Sequence, residues 1–167
     1  MDHIWSPWRY RYVTQSHKPE GCIFCAMCAE TADEQNLIVF RGVHNFVVLN
    51  RYPYTSGHVM VVPCQHTSDL GAISEDAANE LMALTRRADR ILRRLYRPDG
   101  VNLGMNLGEA AGAGVAGHIH MHVLPRWIAD ANFMTTIGET RILPEDLAVS
   151  WQRIQLAFSE PGFNEPA

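Results

Sequence analysis

The longest regular pattern of apolar positions runs from Ala77 to Leu95. Ala77, Leu81, Leu84, Ala88, Ile91, Leu92 and Leu95 recur at helical spacing, so they share one face of a helix. Ser74 is a good N-cap just ahead of it, and Glu75 and Asp76 place negative charge where the helix dipole favours it. Arg86, Arg87, Arg90, Arg93 and Arg94 fall mostly off the apolar face and read as a solvated basic surface. Pro98-Asp99-Gly100 stops the helix.

Elsewhere the apolar runs are short and bounded by turn residues, which predicts strands. Residues 37–41, 46–50 and 58–63 form three before the helix; residues 102–107 and 118–124 form two after it. The stretch 29–36 is polar and reads as loop, and residues 145–158 predict a second, shorter helix. The expectation is a single α+β domain over residues 1–167, with an N-terminal extension (1–20) and a flexible tail (159–167). It consists of a five-stranded antiparallel sheet, one long helix and a shorter C-terminal helix. The aromatic stretch Trp5-Ser6-Pro7-Trp8-Arg9-Tyr10 is too short for a core of its own and is expected to pack on the domain or on a second subunit.

Composition narrows the function. A formal net charge of −4 argues against a general nucleic-acid binder, while leaving room for a local pocket that holds a small anion. No apolar run approaches a membrane span, and the N-terminus has no signal-peptide pattern. A cytoplasmic protein is expected, in which the four cysteines are thiols or metal ligands, not disulfides.

The chemistry concentrates in His118-Ile119-His120-Met121-His122-Val123-Leu124. In a strand alternate residues share a face, so the three histidines line one side while Ile119, Met121 and Val123 face the core. Two functional readings follow: a catalytic metal site on the histidines, or nucleophilic attack by a neutral imidazole held in one tautomer. The loop before the strand favours the second. Gly108, Gly112, Gly114 and Gly117 leave backbone N–H groups able to turn around an anion. A phosphate cradle beside a row of histidines points to phosphoryl or nucleotidyl transfer.

The cysteines carry a separate signal. Cys22-x-x-Cys25 supplies two metal ligands where a closed structural zinc site needs four. His66, at a strand end, and His118 complete a Cys₂His₂ set, with Cys28 and Cys64 as nearby alternatives. The competing reading is a pair of buried thiols. His3, His17 and His44 read as surface residues.

The stretch HIHMHVLPRW, residues 118–127, resembles the signature of the histidine-triad (HIT) family, and the resemblance extends to Asn50-Arg51, Gly57-His58 and the strand leading to Pro63. Trp5-Ser6-Pro7, Asn106-Leu107-Gly108 and Pro125-Arg126-Trp127 resemble the branch that acts on diadenosine tetraphosphate. The resemblance implies a HIT-like fold and a homodimer acting on adenine nucleotides or dinucleoside polyphosphates, with no organic cofactor. It implies that His120 is the nucleophile, that His122 contacts phosphate oxygens, and that His58 sits beside the nucleophile. It further implies that Asn50 bonds the ribose, that Asn106 reaches the scissile phosphate, and that Trp127 lies near the substrate. Zinc-bearing members of the family resemble the Cys22, Cys25, His66, His118 arrangement. One departure is plain: the phosphate loop reads Gly112-Ala113-Gly114-Val115, without the usual side-chain donor, so Ala113 and Gly114 are expected to act through backbone N–H. Other outcomes within the family are a nucleotide hydrolase, an adenosine phosphoramidase, or a nucleotide sensor without turnover. Arg126 is expected either to serve an anionic acceptor or to be a structural partner after the strand.

Overall fold

A computed structural model of the chain describes residues 21–128, 130 and 143–163. The aromatic N-terminal stretch, His3, His17 and the end of the tail lie outside the described residues. Five strands form one antiparallel sheet: β1 (Ile38–Arg41), β2 (Asn45–Leu49), β3 (Val59–Pro63), β4 (Gly100–Gly104) and β5 (Met121–Arg126). Their order is β1-β2-β3-β5-β4, so the histidine-bearing strand lies inside the sheet and, among the described residues, β1 and β4 are its edges.

Among the described residues four α-helices accompany the sheet: α1 (Ile23–Ala29), α2 (Asp33–Asn36), α3 (Glu75–Tyr96) and α4 (Leu147–Ser159). The expected α+β class and the two main helices are observed. Ser74 caps α3, its hydroxyl accepting from the Ala77 N–H, and Arg97 ends it in a left-handed conformation before Pro98. Asp146 caps α4 in the same manner, so this helix begins two residues later than the expected start.

The two sheet faces bury different things. Val47, Leu49, Val59, Val61 and Val123 meet Leu81, Leu84, Ala88, Ile91 and Leu92 of α3, together with Ile154 and Phe158 of α4. This is the main core, and truncating one of its leucines to alanine would cost about 2–5 kcal/mol. The opposite face carries a smaller cluster of Phe46, Val48, Met60 and Val62 roofed by Phe24 of α1. The period of two along β2 and β3 thus separates a helix-covered face from the face that carries the histidines.

Several boundaries differ from the sequence expectation. Residues 29–36 are not all loop: α1 ends there and α2 occupies part of it, its polar sequence lying at the surface. α1 is held at its C-terminal end by Arg41, whose guanidinium donates to the Met27, Cys28 and Glu30 carbonyls and pairs with Asp33. β4 starts and ends earlier than residues 102–107, because its register against β5 finishes at Gly104↔His122. β5 begins at Met121, not at residue 118. The Ile119 N–H bonds the Thr67 carbonyl, so the chain joins the ladder only after His120. The basic face of α3 is only partly solvated. Arg87 lies over the Phe40 and Phe158 rings at 4.5 and 4.9 Å and donates to the Phe158 carbonyl, which makes it a packing residue between α3 and α4.

The expectation that no cysteine forms a disulfide is corrected. Cys28 and Cys64 are joined, with their Cα atoms 5.8 Å apart, because the end of α1 lies against the end of β3. This removes both from the pool of alternative metal ligands. Among the described residues no helix is long and apolar enough to cross a membrane.

Candidate active site and metal centre

His58 enters the site from the turn before β3. Gly57 takes a φ of +78°, and a Cβ there would stand 2.9 Å from the Tyr96 ring, so both conformation and space require glycine. The turn is tied down by Thr55, whose hydroxyl donates to the Pro125 carbonyl and whose own carbonyl accepts the His58 N–H. His58 is fully buried, and its ring stands 5.1 Å from that of His122.

Hydrogen bonding assigns the tautomers. His58 Nδ1 receives the Tyr54 backbone N–H at 3.2 Å and faces the Asn50 amide nitrogen at 3.3 Å, so it carries no proton. The His58 proton is therefore on Nε2, which donates to His122 Nδ1 at 2.9 Å. His122 in turn carries its proton on Nε2, a donor with no partner among the described residues. His120 has the reverse tautomer: its Nδ1–H donates to the His118 carbonyl at 2.9 Å, which leaves the Nε2 lone pair available. The His120 and His122 rings meet edge to face at 4.8 Å. One ring thus offers a nucleophilic lone pair beside another that offers an N–H donor.

Burial works against protonation of all three rings. Burial, followed by the His122 and His120 charges, lowers the His58 pKa to about 3. Burial and then His120 lower His122 to about 4. His120 is also lowered by burial, against a partly opposing bond to the His118 carbonyl. A neutral imidazole is the form that can attack phosphorus.

His118 points into a different cluster. Its Nε2–H donates to the Pro63 carbonyl at 2.8 Å, leaving Nδ1 as a free ligand atom. That Nδ1 lies 3.2 Å from Cys22 Sγ, 3.7 Å from Cys25 Sγ and 3.3 Å from His66 Nδ1, while Cys25 Sγ lies 3.3 Å from His66 Nδ1. All four ligand atoms fall within 4.8 Å of one another. A tetrahedral zinc ion with ordinary bond lengths sets edges of about 3.3 Å between nitrogens, about 3.6 Å between nitrogen and sulfur and about 3.8 Å between sulfurs. The four distances of 3.2–3.7 Å lie near that set, and the donor chemistry, two thiols and two imidazoles, is that of a closed structural site. Phe24, on α1 between the two cysteines, packs against both His118 and His120 at 5.4 and 5.1 Å.

The other sequence candidates are distributed as follows. Asn50 contacts His58, and its side-chain oxygen accepts the Tyr52 N–H at 2.9 Å, so in this state it holds the histidine and its own turn. Asn106 is half-buried in the loop after β4 and makes no side-chain hydrogen bond among the described residues. In the glycine loop the Ala113 N–H reaches the Gly108 carbonyl at 3.4 Å, whereas Gly114 is exposed and makes no backbone hydrogen bond among the described residues. Trp127 is half-buried with its ring edge-on to Tyr96 at 6.5 Å. Arg126 does not face an acceptor: it forks onto Asp130 at 2.6 and 2.8 Å and bonds Asn102 at 2.7 Å, which makes it the structural partner of the two alternatives. His44 is exposed, as expected. Sequence reasoning missed Tyr54 and Phe24, which wall His58 and His120. The available signal was their position, beside Gly57-His58 and inside Cys22-x-x-Cys25.

A five-stranded antiparallel sheet that presents a tautomer-ordered row of histidines beside a Cys/His cluster defines the class of histidine-dependent α+β proteins. The HIT domain family matches residues 31–127, and the chain belongs to that family. It is 38% identical to the AP-4-A phosphorylase of Mycobacterium tuberculosis (strain ATCC 25618 / H37Rv), over 92% of this chain and 86% of that protein. A zinc-bound histidine triad family protein from Mycobacterium smegmatis matches with 30% identity and a TM-score of 0.68, covering 83% of this chain and 94% of that one. A diadenosine triphosphate hydrolase from Plasmodium falciparum shares the fold at 16% identity and a TM-score of 0.62, over 76% of this chain and 79% of that one. The family and the phosphorylase relative support an enzyme that processes nucleotides.

Proposed function

We propose that the protein cleaves dinucleoside polyphosphates by nucleotidyl transfer through His120, with inorganic phosphate as the acceptor. The observation that carries this reading is the pair of opposed tautomers: a His120 Nε2 lone pair beside a His122 Nε2–H donor. His120 Nε2 attacks the α-phosphorus and forms a P–N bond as the bond to the bridging oxygen breaks. The leaving group is a nucleoside polyphosphate, already a stable anion. The His122 N–H bonds a non-bridging oxygen where negative charge grows, supported by Asn106 and the Gly114 N–H. In the second step an oxygen of inorganic phosphate attacks the same phosphorus and the P–N bond breaks, freeing His120. Diadenosine tetraphosphate would thus give ATP in the first step and ADP in the second. Positioning of the acceptor decides between phosphate and water. With Arg126 held by Asp130, the glycine loop and Asn106 are the groups left to position that acceptor.

Asn50 is assigned to the ribose and Trp127 to a wall of the substrate pocket, both on the family resemblance. Cys22, Cys25, His66 and His118 are assigned to a structural zinc ion, on the donor spacings above. The zinc would pin α1 to the histidine stretch. A homodimer is supported by the open β4 edge, with Leu103 53% exposed on it. The whole chain is read as one domain, and a nucleotide substrate fits the cytoplasm, although the Cys28–Cys64 disulfide does not add to that reading.

The test is turnover of diadenosine tetraphosphate with and without millimolar phosphate, products separated by chromatography. ADP and ATP formed only with phosphate are expected. AMP and ATP at a rate indifferent to phosphate would make the protein a hydrolase, and binding without products would make it a sensor.

A further inference from the structure

We propose that Tyr54 is a positioning residue of the histidine relay, its ring and backbone N–H together holding His58 in the tautomer that turns the His122 proton toward the substrate. Tyr54 meets His58 twice. Its backbone N–H donates to His58 Nδ1 at 3.2 Å, and its ring stacks on the imidazole with centroids 5.1 Å apart and planes inclined by 26°. The same ring stands 6.5 Å from that of His122.

Exposure shows what the ring does. Tyr54 is 50% exposed, whereas the His58 beneath it is 0% exposed. One face of the tyrosine is therefore a wall between a buried imidazole and solvent. A water reaching His58 could bond either ring nitrogen, and the imidazole could then turn or shift its proton. Either event would remove the bond from His58 Nε2 to His122 Nδ1, and His122 would be free to carry its proton on the wrong nitrogen. The main chain beside the ring is fixed independently by Thr55 on Pro125, so the aromatic face is presented from a firm turn. Stacked aromatic pairs are individually weak. Here the effect is on geometry, because an imidazole in the wrong orientation donates nothing.

The kinetic part rests on the proposed nucleotidyl transfer, while the tautomer part rests on geometry alone, and the experiment reads both. Ring-nitrogen chemical shifts of the full chain, from long-range proton–nitrogen correlation, are compared for wild type, Tyr54→Ala, Tyr54→Leu and Tyr54→Phe. Wild type and Tyr54→Phe are expected to show His58 and His122 protonated on Nε2 and His120 on Nδ1. Tyr54→Ala and Tyr54→Leu should show averaged shifts for His58 and His122 with His120 unchanged. With dinucleoside polyphosphate, kcat should fall roughly 10- to 100-fold in the alanine and leucine variants, as expected for a small misplacement of a reacting group. KM should stay within about threefold, and phenylalanine should restore kcat. Leucine fills the volume without the aromatic face, so it decides the matter if the alanine variant fails to fold. Wild-type tautomers and kcat in the leucine variant would overturn the proposal, as would a phenylalanine variant as impaired as leucine. Absence of turnover in the wild type would defeat the proposed reaction, and the nitrogen shifts would still judge Tyr54.

Discussion

Two clusters of histidine share a single stretch of chain and differ in where their lone pairs point. Around His118, the ligand atoms of Cys22, Cys25, His66 and His118 lie within 4.8 Å of one another, and the His118 ring proton is tied back to the Pro63 carbonyl. Two residues further on, His58 donates its Nε2–H to His122 Nδ1, and His120, its Nδ1–H tied to the His118 carbonyl, keeps a bare Nε2. Convergent lone pairs suit a cation. A directional series of donors suits an anion whose charge grows during reaction. The same side chain serves both because the partner of its second nitrogen decides what the first can do.

The largest expected effect breaks the relay at its proposed nucleophile. His120→Ala should lower turnover by roughly three orders of magnitude or more while nucleotide affinity survives, since the covalent route is gone. Rapid acid quench of wild type with labelled substrate should trap a phosphoramidate. A variant that keeps more than about a tenth of the rate would remove His120 from that role.

The next separates the clusters. Cys25→Ser should lose bound zinc and lower the melting temperature by on the order of 5–10 °C, with kcat per folded molecule within a few-fold of wild type. Metal analysis, calorimetry and active-site titration together check this. Immediate loss of activity on chelation, with the fold intact, would instead make the metal catalytic and erase the distinction between the two regions.

The smallest effect concerns protons. The His58 and His122 pKa values lie at about 3 and about 4 in the folded chain, against 6.5 for an unperturbed histidine. Unfolded chains therefore bind protons that folded ones refuse, and stability is fully present above about pH 6.5. It should decline as pH falls toward 4, at up to about 1.4 kcal/mol per pH unit for each histidine. Urea midpoints measured between pH 7.5 and 5 provide the check. In His58→Asn the decline should shrink; an equal slope in that variant would assign the loss to other groups.

Much of the fold was legible because periodicity is a local property. The apolar face of α3 and the unbroken apolar runs Phe46–Leu49 and Val59–Val62 reappear as a core on both faces of the sheet. The candidate metal quartet was legible because only a few residue types make zinc ligands and Cys22-x-x-Cys25 places two of them at ligand spacing. Strand ends were harder to read. β5 starts three residues after the expected position because Thr67, distant in sequence, takes the Ile119 N–H. Arg126 shows the same limit. Nothing in Pro-Arg-Trp distinguishes a cation that faces substrate from one forked onto Asp130.

The amino-acid sequence by itself determined the secondary elements, the sheet-and-helix layering, the row of histidines and the ligand types of the candidate metal centre. These follow from spacing and side-chain chemistry, which need no partner to be defined. Tertiary structure alone decided that Cys28 meets Cys64, that Arg87 packs between two helices, and that Tyr54 shields His58. It also decided which nitrogen of each histidine carries the proton. A tautomer depends on what stands opposite the other nitrogen, and here that is a carbonyl, an amide or another ring brought close only when the sheet and its turns have formed.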